Sequence, residues 1–339
     1  MQKKTDVEPD IFDWIFIAKG IGILFVVIGH FHPKSSPTYW PEFYRIIYSF
    51  HMPLFFILSG YLYNYRKYSY YSLIKAKTRR LLYPFISIAL VFFLIKCLAG
   101  SVVTLDRPVS INSIYALLVD PINSYMPILW FVYALFLVFA IYPLVRVIMN
   151  NHLMLLLFIA INAVFGNDYL IINEAMYNMP FFVIGVILRE NLELFKMSIG
   201  ANYRYAFVSF VLFSLVYIIY ILANIQIGGE YLFRFFLGVT GALLVINASH
   251  TISSFSNSKI KGVMVEIGYY SMTIYLFHTL FVSTVRIGFL QVFQDVYIPF
   301  ELIAFVAVLS GIVFPLLLEK KVLRKFWITK KFVLGLKKK

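Results

Sequence analysis

The sequence contains a single cysteine, Cys97, so it cannot form a disulfide framework and offers no cluster of thiolate metal ligands. Charge is also scarce, because Asp, Glu, Lys and Arg together make up 14% of the 339 residues. Acidic residues are the rarer sign, with 16 Asp and Glu against 30 Lys and Arg. A chain that is 61% hydrophobic cannot bury its apolar surface in a soluble core, so lipid is the expected solvent.

Ten apolar runs have about the length that crosses a bilayer. They lie at 11–31, 44–63, 80–99, 127–148, 153–167, 170–188, 205–224, 231–249, 265–285 and 298–318. No short apolar stretch precedes a small-residue cleavage site, so the first run is expected to be a retained span. The predicted fold is an all-α integral membrane protein with one membrane domain over 1–339 and tails at 1–10 and 319–339.

The uneven distribution of basic residues predicts the orientation. An even number of spans places both termini on one side, and most Lys and Arg fall on that side, which predicts cytoplasmic termini. This distribution explains the net charge of +14 by topology and attraction to anionic lipid, and it argues against nucleic acid as a partner. The basic run LEKKVLRKFWITKK near the C-terminus is expected to be a juxtamembrane lipid anchor.

Two ionisable residues, Lys19 and His30, lie eleven positions apart in the first span. At 100° per residue they share one face of a helix, roughly 16 Å apart along its axis. An ionisable side chain within a membrane helix is costly and usually serves a function. The pair therefore predicts a polar track through the protein.

Other polar side chains fall in the predicted outer halves of later spans. Glu174 and Asn178 are spaced i and i+4 and share a helix face, as do Tyr275 and His278 at i and i+3. His51 lies about two turns into the second span. Together they favour a polar chamber that receives a hydroxylated acceptor, although either histidine could instead be a hydrogen-bonded packing residue.

Two further charged features have an ordinary alternative reading. The run KAKTRR at 75–80 is predicted to face the cytoplasm, either as a common loop charge run or as a grip for an anionic donor. Arg234 and Glu301 lie near the predicted outer ends of spans. Their long side chains are interpreted as extending so that the charged group reaches the membrane–water interface.

Six segments, taken in order, resemble the motifs of the membrane acyltransferase-3 family. They are AKGIGILFVVIGH at 18–30, FHMPLFFILSGYLY at 50–63, KAKTRRLLYPF at 75–85, LWFVYALF at 129–136, MPFFVIG at 179–185 and IGYYSMTIYLFH at 267–278. Within that family, the segment GIGILFVVIGH and the compact length of the chain are most similar to the branch of fucose 4-O-acetylases and polysaccharide O-acetyltransferases. Lys19 and Lys77 stand where the family pattern has arginine; lysine keeps the charge but loses the planar fork.

The resemblance implies transfer of an acetyl group from acetyl-CoA, without a metal, to a hydroxyl of a cell-surface glycan or an undecaprenyl-linked oligosaccharide. It implies His30 as general base or acyl carrier, with Lys19 beside the thioester or the developing oxyanion. The residues implied to bind the donor are Lys75, Lys77, Arg79 and Arg80. Those implied to hold the acceptor are His51, Glu174, Asn178, Trp130, Tyr275 and His278.

Two other classes share the pattern of buried His, Glu and Lys. A proton-coupled transporter would be expected to show inverted repeats, and no persuasive repeat is found. A polysaccharide-assembly flippase without transferase activity is the second alternative. The acceptor sugar, the acyl length, the role of Asp13 and the oligomeric state stay open at this level.

Overall fold

The computed structural model describes residues 10–31, 36–64, 69–100, 109–165, 170–191, 195, 203–222, 230–255, 258–292 and 298–337. These residues are mostly helical and contain no strand, which confirms the predicted all-α class. Apart from Asp10, the predicted N-terminal tail lies outside the described residues.

In chain order the α-helices are α1 (Asp10–Gly29), α2 (Trp40–Tyr61), α3 (Tyr70–Lys77), α4 (Tyr83–Ala99), α5 (Ile111–Val119), α6 (Trp130–Ile148), α7 (Asn151–Phe165), α8 (Ile171–Glu190), α9 (Tyr203–Leu222), α10 (Glu230–Ser253), α11 (Lys259–Tyr269), α12 (Ser271–Val292), α13 (Phe300–Leu318) and α14 (Trp327–Phe332). Two π-helical turns join neighbouring helices, Thr78–Leu82 between α3 and α4 and Glu319–Leu323 after α13. Both turns are basic, and both lie at the end of a long apolar helix.

Seven segments of the described chain are long and apolar enough to cross a membrane. They are Tyr70–Leu98, Pro127–Ile148, Ile171–Glu190, Tyr203–Leu222, Glu230–Ser253, Ser271–Phe289 and Phe300–Leu323. The fifth predicted run forms the shorter apolar helix α7, and the first two runs form α1 and α2, of 20 and 22 residues. The protein is therefore a multi-pass membrane protein, while the total of ten spans and the side of each terminus stay predictions.

The ninth predicted span differs from the structure at its start. The run 265–285 reads as one apolar segment, but the helix breaks at Tyr270, between α11 and α12. The Gly268 backbone lies against α1, where a Cβ atom would come 1.7 Å from the Phe16 carbonyl oxygen. The long apolar helix therefore begins at Ser271, and the residues before it belong to a separate packing element.

The chain divides into two compact units. The first comprises Met1–Phe55, Asn191–Ile225 and Phe233–Leu316, and the second comprises Phe56–Glu190, Gln226–Leu232 and Leu317–Lys339. The first unit contains α1, α9, α11 and α12, while the second contains α3 to α8 and the C-terminal turns. Each unit is described by itself below.

Within the first unit, α1 and α11 touch through glycines. A Cβ atom on Gly20 would lie 2.5 Å from the Met264 carbonyl oxygen. On α11, Gly268 lies close to the backbone of Phe16 in α1. Small residues let two helix backbones approach when lipid supplies no hydrophobic driving force. An ion pair of 2.9 Å between Asp13 and Lys261 closes the same interface.

Within the second unit, the end of α2 and the middle of α8 meet in the same way. A Cβ atom on Gly60 would lie 2.0 Å from the Phe182 carbonyl oxygen, and one on Gly185 would lie 2.0 Å from the Ile57 carbonyl oxygen. Neither glycine can be enlarged without moving backbone. The contact therefore sets the register of these two helices.

Candidate functional site

Histidines from three helices meet in the first unit. His30 follows the last residue of α1, and its ring centroid lies 5.0 Å from that of His278 on α12. On the other side, Tyr48 of α2 lies 6.4 Å from the His30 ring and 4.8 Å from the His51 ring. The sequence interpretation placed these histidines in one chamber, and the structure brings them together.

Hydrogen bonds define the proton positions on two of the rings. His278 Nδ1 lies 2.7 Å from the Tyr275 carbonyl oxygen and 3.0 Å from that of Ile274. His51 Nδ1 lies 2.7 Å from the Ile47 carbonyl oxygen. A carbonyl can only accept, so Nδ1 carries the proton in each neutral ring and Nε2 presents a lone pair.

His278 combines complete burial with an open acceptor. Its side chain is 0% exposed, and Nε2 has no hydrogen-bond partner among the described residues. Buried polar atoms normally have a partner, so such an atom needs an explanation in function or bound ligand. The His30 ring is a neighbouring imidazole, 5.0 Å away between ring centroids.

The surroundings of His30 are aromatic. Tyr48 donates a hydrogen bond of 3.2 Å to the Gly29 carbonyl oxygen, and its ring stacks on Tyr44 at 4.0 Å between centroids. Phe31, directly after His30, contacts Trp40 and Phe300 at 5.9 Å and 5.6 Å. The rings of Tyr48 and His278 lie beside the His30 imidazole, and His30 itself is half-buried.

Lys19 lies within α1, whose last residue, Gly29, directly precedes His30, and the separation of the two side chains along one face stays a prediction. Its ammonium nitrogen is 5.6 Å from the centroid of the Phe16 ring, a cation–π distance, and the side chain is half-buried. Asp13 is engaged by Lys261, which also donates a 3.1 Å hydrogen bond to the Ser253 carbonyl oxygen. Asp13 thus joins helices.

A fourth histidine near this end of α1 is absent from the sequence interpretation. His250 of α10 stacks on Trp14 at 4.5 Å between ring centroids, and Phe195 lies 5.9 Å away. Its Nε2 atom is buried without a hydrogen-bond partner among the described residues. The predicted span ends at 249, so the residue falls outside it, although Asn247 within the span is a usable signal.

Three of the predicted acceptor-site residues lie in the second unit. Asn178 donates a 2.9 Å hydrogen bond to the Glu174 carbonyl oxygen, so the two share a helix face as their spacing predicts, and both are buried. Trp130 begins α6 and is half-buried, with its ring 6.2 Å from that of Phe131. His51, Tyr275 and His278 are the predicted acceptor-site residues of the first unit.

The predicted donor-binding residues also lie in the second unit, along α3 and the π-helical turn. Lys75 and Arg80 are exposed, while Lys77 and Arg79 are half-buried. The Lys77 ammonium nitrogen sits 3.3 Å from the centroid of the Phe139 ring. Arg79 Nε is buried and has no hydrogen-bond partner among the described residues. The four cations therefore differ: two face solvent, one rests on an aromatic ring and one has an open donor.

The remaining charged features near predicted span ends are explained locally. Glu301 accepts a 2.6 Å hydrogen bond from the Tyr39 hydroxyl, and this carboxylate raises the pKa of Tyr39 above its ordinary value. Arg234 is exposed on α10. Within the described ranges, no group of three or more His, Cys, Asp or Glu side chains is arranged to hold a metal ion.

Comparison with known proteins gives one extensive match. The profile of the acyltransferase-3 family, described as an acyltransferase domain, matches residues 12–320. Nodulation protein NolL of Mesorhizobium japonicum (strain LMG 29417 / CECT 9101 / MAFF 303099) is 26% identical over 207 residues, which is 58% of this chain and 52% of that protein. The chain thus spans about half the length of the curated relative it matches. No protein of known structure matches it.

Proposed function

Since this chain belongs to the acyltransferase-3 family, we propose that it is an O-acetyltransferase of the bacterial inner membrane. It moves an acetyl group from acetyl-CoA to a hydroxyl of a cell-surface glycan or of its undecaprenyl-linked precursor. Family membership carries the acyltransferase part of this statement. The donor, the acceptor and the residue roles are the proposal.

One observation carries the residue roles: the 5.0 Å approach of His30 to His278, whose Nε2 is a buried acceptor. An imidazole beside a second imidazole of defined tautomer can be held in one orientation by an N–H to N contact. Half-exposed His30 is then the ring that meets substrate, and buried His278 is the ring that positions it. Neutral imidazole is also the side chain best matched to general-base work near neutral pH.

The transfer follows from these roles. His30 takes the proton of the acceptor hydroxyl as the hydroxyl oxygen attacks the thioester carbonyl carbon. The carbon–sulfur bond breaks, and the leaving sulfur takes the proton back from the imidazolium. An ester, a free thiol and neutral His30 remain. In the covalent variant, a His30 ring nitrogen attacks the thioester carbonyl carbon, the carbon–sulfur bond breaks, and the departing thiolate takes up the imidazole N–H proton. The hydroxyl oxygen then attacks the acetyl-imidazole, the acyl carbon–nitrogen bond breaks as the ester forms, and the hydroxyl proton returns to the imidazole.

The basic residues of the second unit bind the phosphates of the donor in this proposal. Arg79 and Arg80 supply forked guanidinium groups, which match phosphate oxygens in pairs. Lys75 adds an exposed point charge. Lys77 rests on Phe139, and this contact supports a role in orienting the turn as well as in attracting the donor.

The direct test is transfer of label. Purified protein in lipid vesicles is incubated with acetyl-CoA labelled in its acetyl group and with a glycan fraction extracted from the native envelope. The proposal requires ester-linked label on the glycan. A proton-coupled transporter or a flippase would leave all label on the thioester, and that result would remove the proposal.

A further inference from the structure

The C-terminal segment of the second unit packs directly on the backbone of the basic π-helical turn Thr78–Leu82. Gly335 adopts a φ of +63°, a conformation that favours glycine, and a Cβ atom there would lie 2.6 Å from the Arg79 carbonyl oxygen. The same atom would lie 2.8 Å from the Arg80 Cα. Only a glycine permits this approach, so the segment has a defined position against the two arginines.

Ring contacts and hydrogen bonds hold the segment in place. Phe332 stacks on Tyr83 with 5.4 Å between centroids and 29° between planes. The backbone N–H of Leu336 donates a 2.9 Å hydrogen bond to the Lys330 carbonyl oxygen, which closes the turn around Gly335. The Lys331 ammonium nitrogen lies 4.8 Å from the Phe332 ring centroid. The segment is a folded element of the second unit.

The packing brings together exposed basic residues from two segments of the chain. Lys330 and Lys337 are exposed on the segment, and Arg80 is exposed on the turn that it covers. Residues 69–85 and 327–337 contain no Asp or Glu. Like charges held together cost free energy unless an anion offsets them. Arg79 Nε, buried without an acceptor among the described residues, adds an open donor under the same contact.

We propose that the segment Trp327–Lys337 completes the phosphate-binding site whose other half is the turn Thr78–Leu82, with Lys330 and Lys337 contacting phosphate oxygens. This inference rests on the proposed function, because it takes a donor that carries several phosphates. Phosphate chemistry is shared by a soluble nucleotide and by a lipid headgroup. The closed turn and fixed arginines favour a compact ligand with phosphates at set distances, as in the nucleotide portion of coenzyme A.

The experiment uses the full chain in nanodiscs of phosphatidylcholine, which carries no net charge. Binding of adenosine 3′,5′-bisphosphate is measured by titration calorimetry at low salt. The test variant is Lys330→Gln with Lys337→Gln, and the matched control is Lys321→Gln with Lys325→Gln, two exposed lysines that precede α14. We expect Kd to rise about fivefold to tenfold in the test variant and less than about twofold in the control.

A second variant tests the contact itself. Gly335→Ala leaves every charge in place but forces the segment away from Arg79 and Arg80, so its Kd is expected to rise by a similar factor. Thermal unfolding of each variant is followed in the same nanodiscs. Weaker binding with an unchanged melting temperature supports the inference, as does weaker binding in Gly335→Ala alongside a normal control pair.

The outcomes separate the inference from the proposed function. If the unmodified protein binds no adenosine bisphosphate, the proposed donor is wrong and the inference is lost with it. If the protein binds and both lysine pairs behave alike, the segment is not part of the site, whereas the donor proposal stands. If the test variant differs only when the nanodiscs contain phosphatidylglycerol, the lysines hold lipid headgroups, and the inference is overturned.

Discussion

At the scale of single residues, three histidines of the first unit occupy different environments. His278 is fully buried with Nδ1 donating to backbone, His51 is 2% exposed with the same pattern, and His30 is half-buried at the end of α1. A ring that meets a substrate must be reachable, and a ring that orients another must be held. The proposed division of roles rests on this difference in exposure.

Replacing His30 by alanine is expected to lower the rate of O-acetylation by at least about 10²-fold, the range of a lost general base. Because His30 lies at a helix end and is half-buried, protein level and membrane insertion should persist. The rate is measured with labelled acetyl-CoA, and His152→Ala, at an exposed position on α7, serves as control. Near-normal transfer by His30→Ala would remove the central assignment.

His278 offers a graded test of positioning. In His278→Gln the amide oxygen can replace Nε2 as acceptor, while His278→Ala leaves no acceptor. We expect the alanine variant to lose about tenfold or more in kcat with little change in either KM, and the glutamine variant to recover part of that loss. Equal activity of both variants would indicate that His278 only fills space.

The sequence alone takes this site part of the way. Lys19, His30, Tyr275 and His278 could be placed on helices because apolar runs define the spans, and Glu174 with Asn178 could be placed on one face by spacing. Residue type and depth predict His30 and His278 in one chamber, but helix periodicity does not say which helices are neighbours, so the 5.0 Å approach of the two rings comes from the structure alone. His250 was missed since it follows the end of an apolar run.

At the scale of elements, the glycine crossings join segments that the sequence shows far apart. Gly20 and Gly268 come from the first and last of the six motifs, and Gly60 and Gly185 come from the second and fifth. The six motifs that resemble the acyltransferase-3 family therefore include residues that pack helices against one another. The break at Tyr270 belongs to the same arrangement, and a continuous apolar run concealed it.

At the α1–α11 crossing, two glycine-to-alanine substitutions on α11 are expected to change the stability of the protein in opposite directions. Gly268→Ala places a methyl group against the Phe16 carbonyl and is expected to lower stability by about 1–3 kcal/mol. Gly262→Ala adds the same group where nothing lies within 4 Å, so it should be neutral or stabilising by up to about 1 kcal/mol. Thermal unfolding in detergent measures both. Equal melting temperatures would show that the two helices do not cross so closely.

At the scale of the whole molecule, the proposed reaction needs two substrates of opposite character, a phosphorylated donor and a hydroxylated acceptor. The structure assigns the histidines to the first unit and the basic turn to the second. From sequence, both groups could be recognised by residue type and order. That the two groups lie in separate compact units could not be predicted, because the units do not follow chain order. Helices α2 and α10 each contribute residues to both units.

A kinetic separation of the two substrates follows. Lys77→Ala with Arg80→Ala is expected to raise KM for acetyl-CoA about tenfold, because a cation that attracts the donor and a guanidinium that pairs with its phosphates are lost, and to leave the acceptor KM unchanged. Initial rates at varied concentrations of each substrate measure both constants, with Lys259→Ala, an exposed lysine of the first unit, as control. A change confined to the acceptor KM would assign the basic turn to another ligand.

The backbone contacts at the glycine crossings also shape what a genetic screen will recover. A selection for loss of the proposed surface modification is expected to collect substitutions at Gly60, Gly185 and Gly268 as readily as at His30. The two groups of variants are expected to differ in the amount of protein in the membrane. Glycine variants are lost from the membrane fraction, whereas His30 variants accumulate normally and are inactive. Immunoblots of the recovered strains would therefore distinguish substitutions that disturb helix packing from those that affect the reaction, before any enzyme is purified.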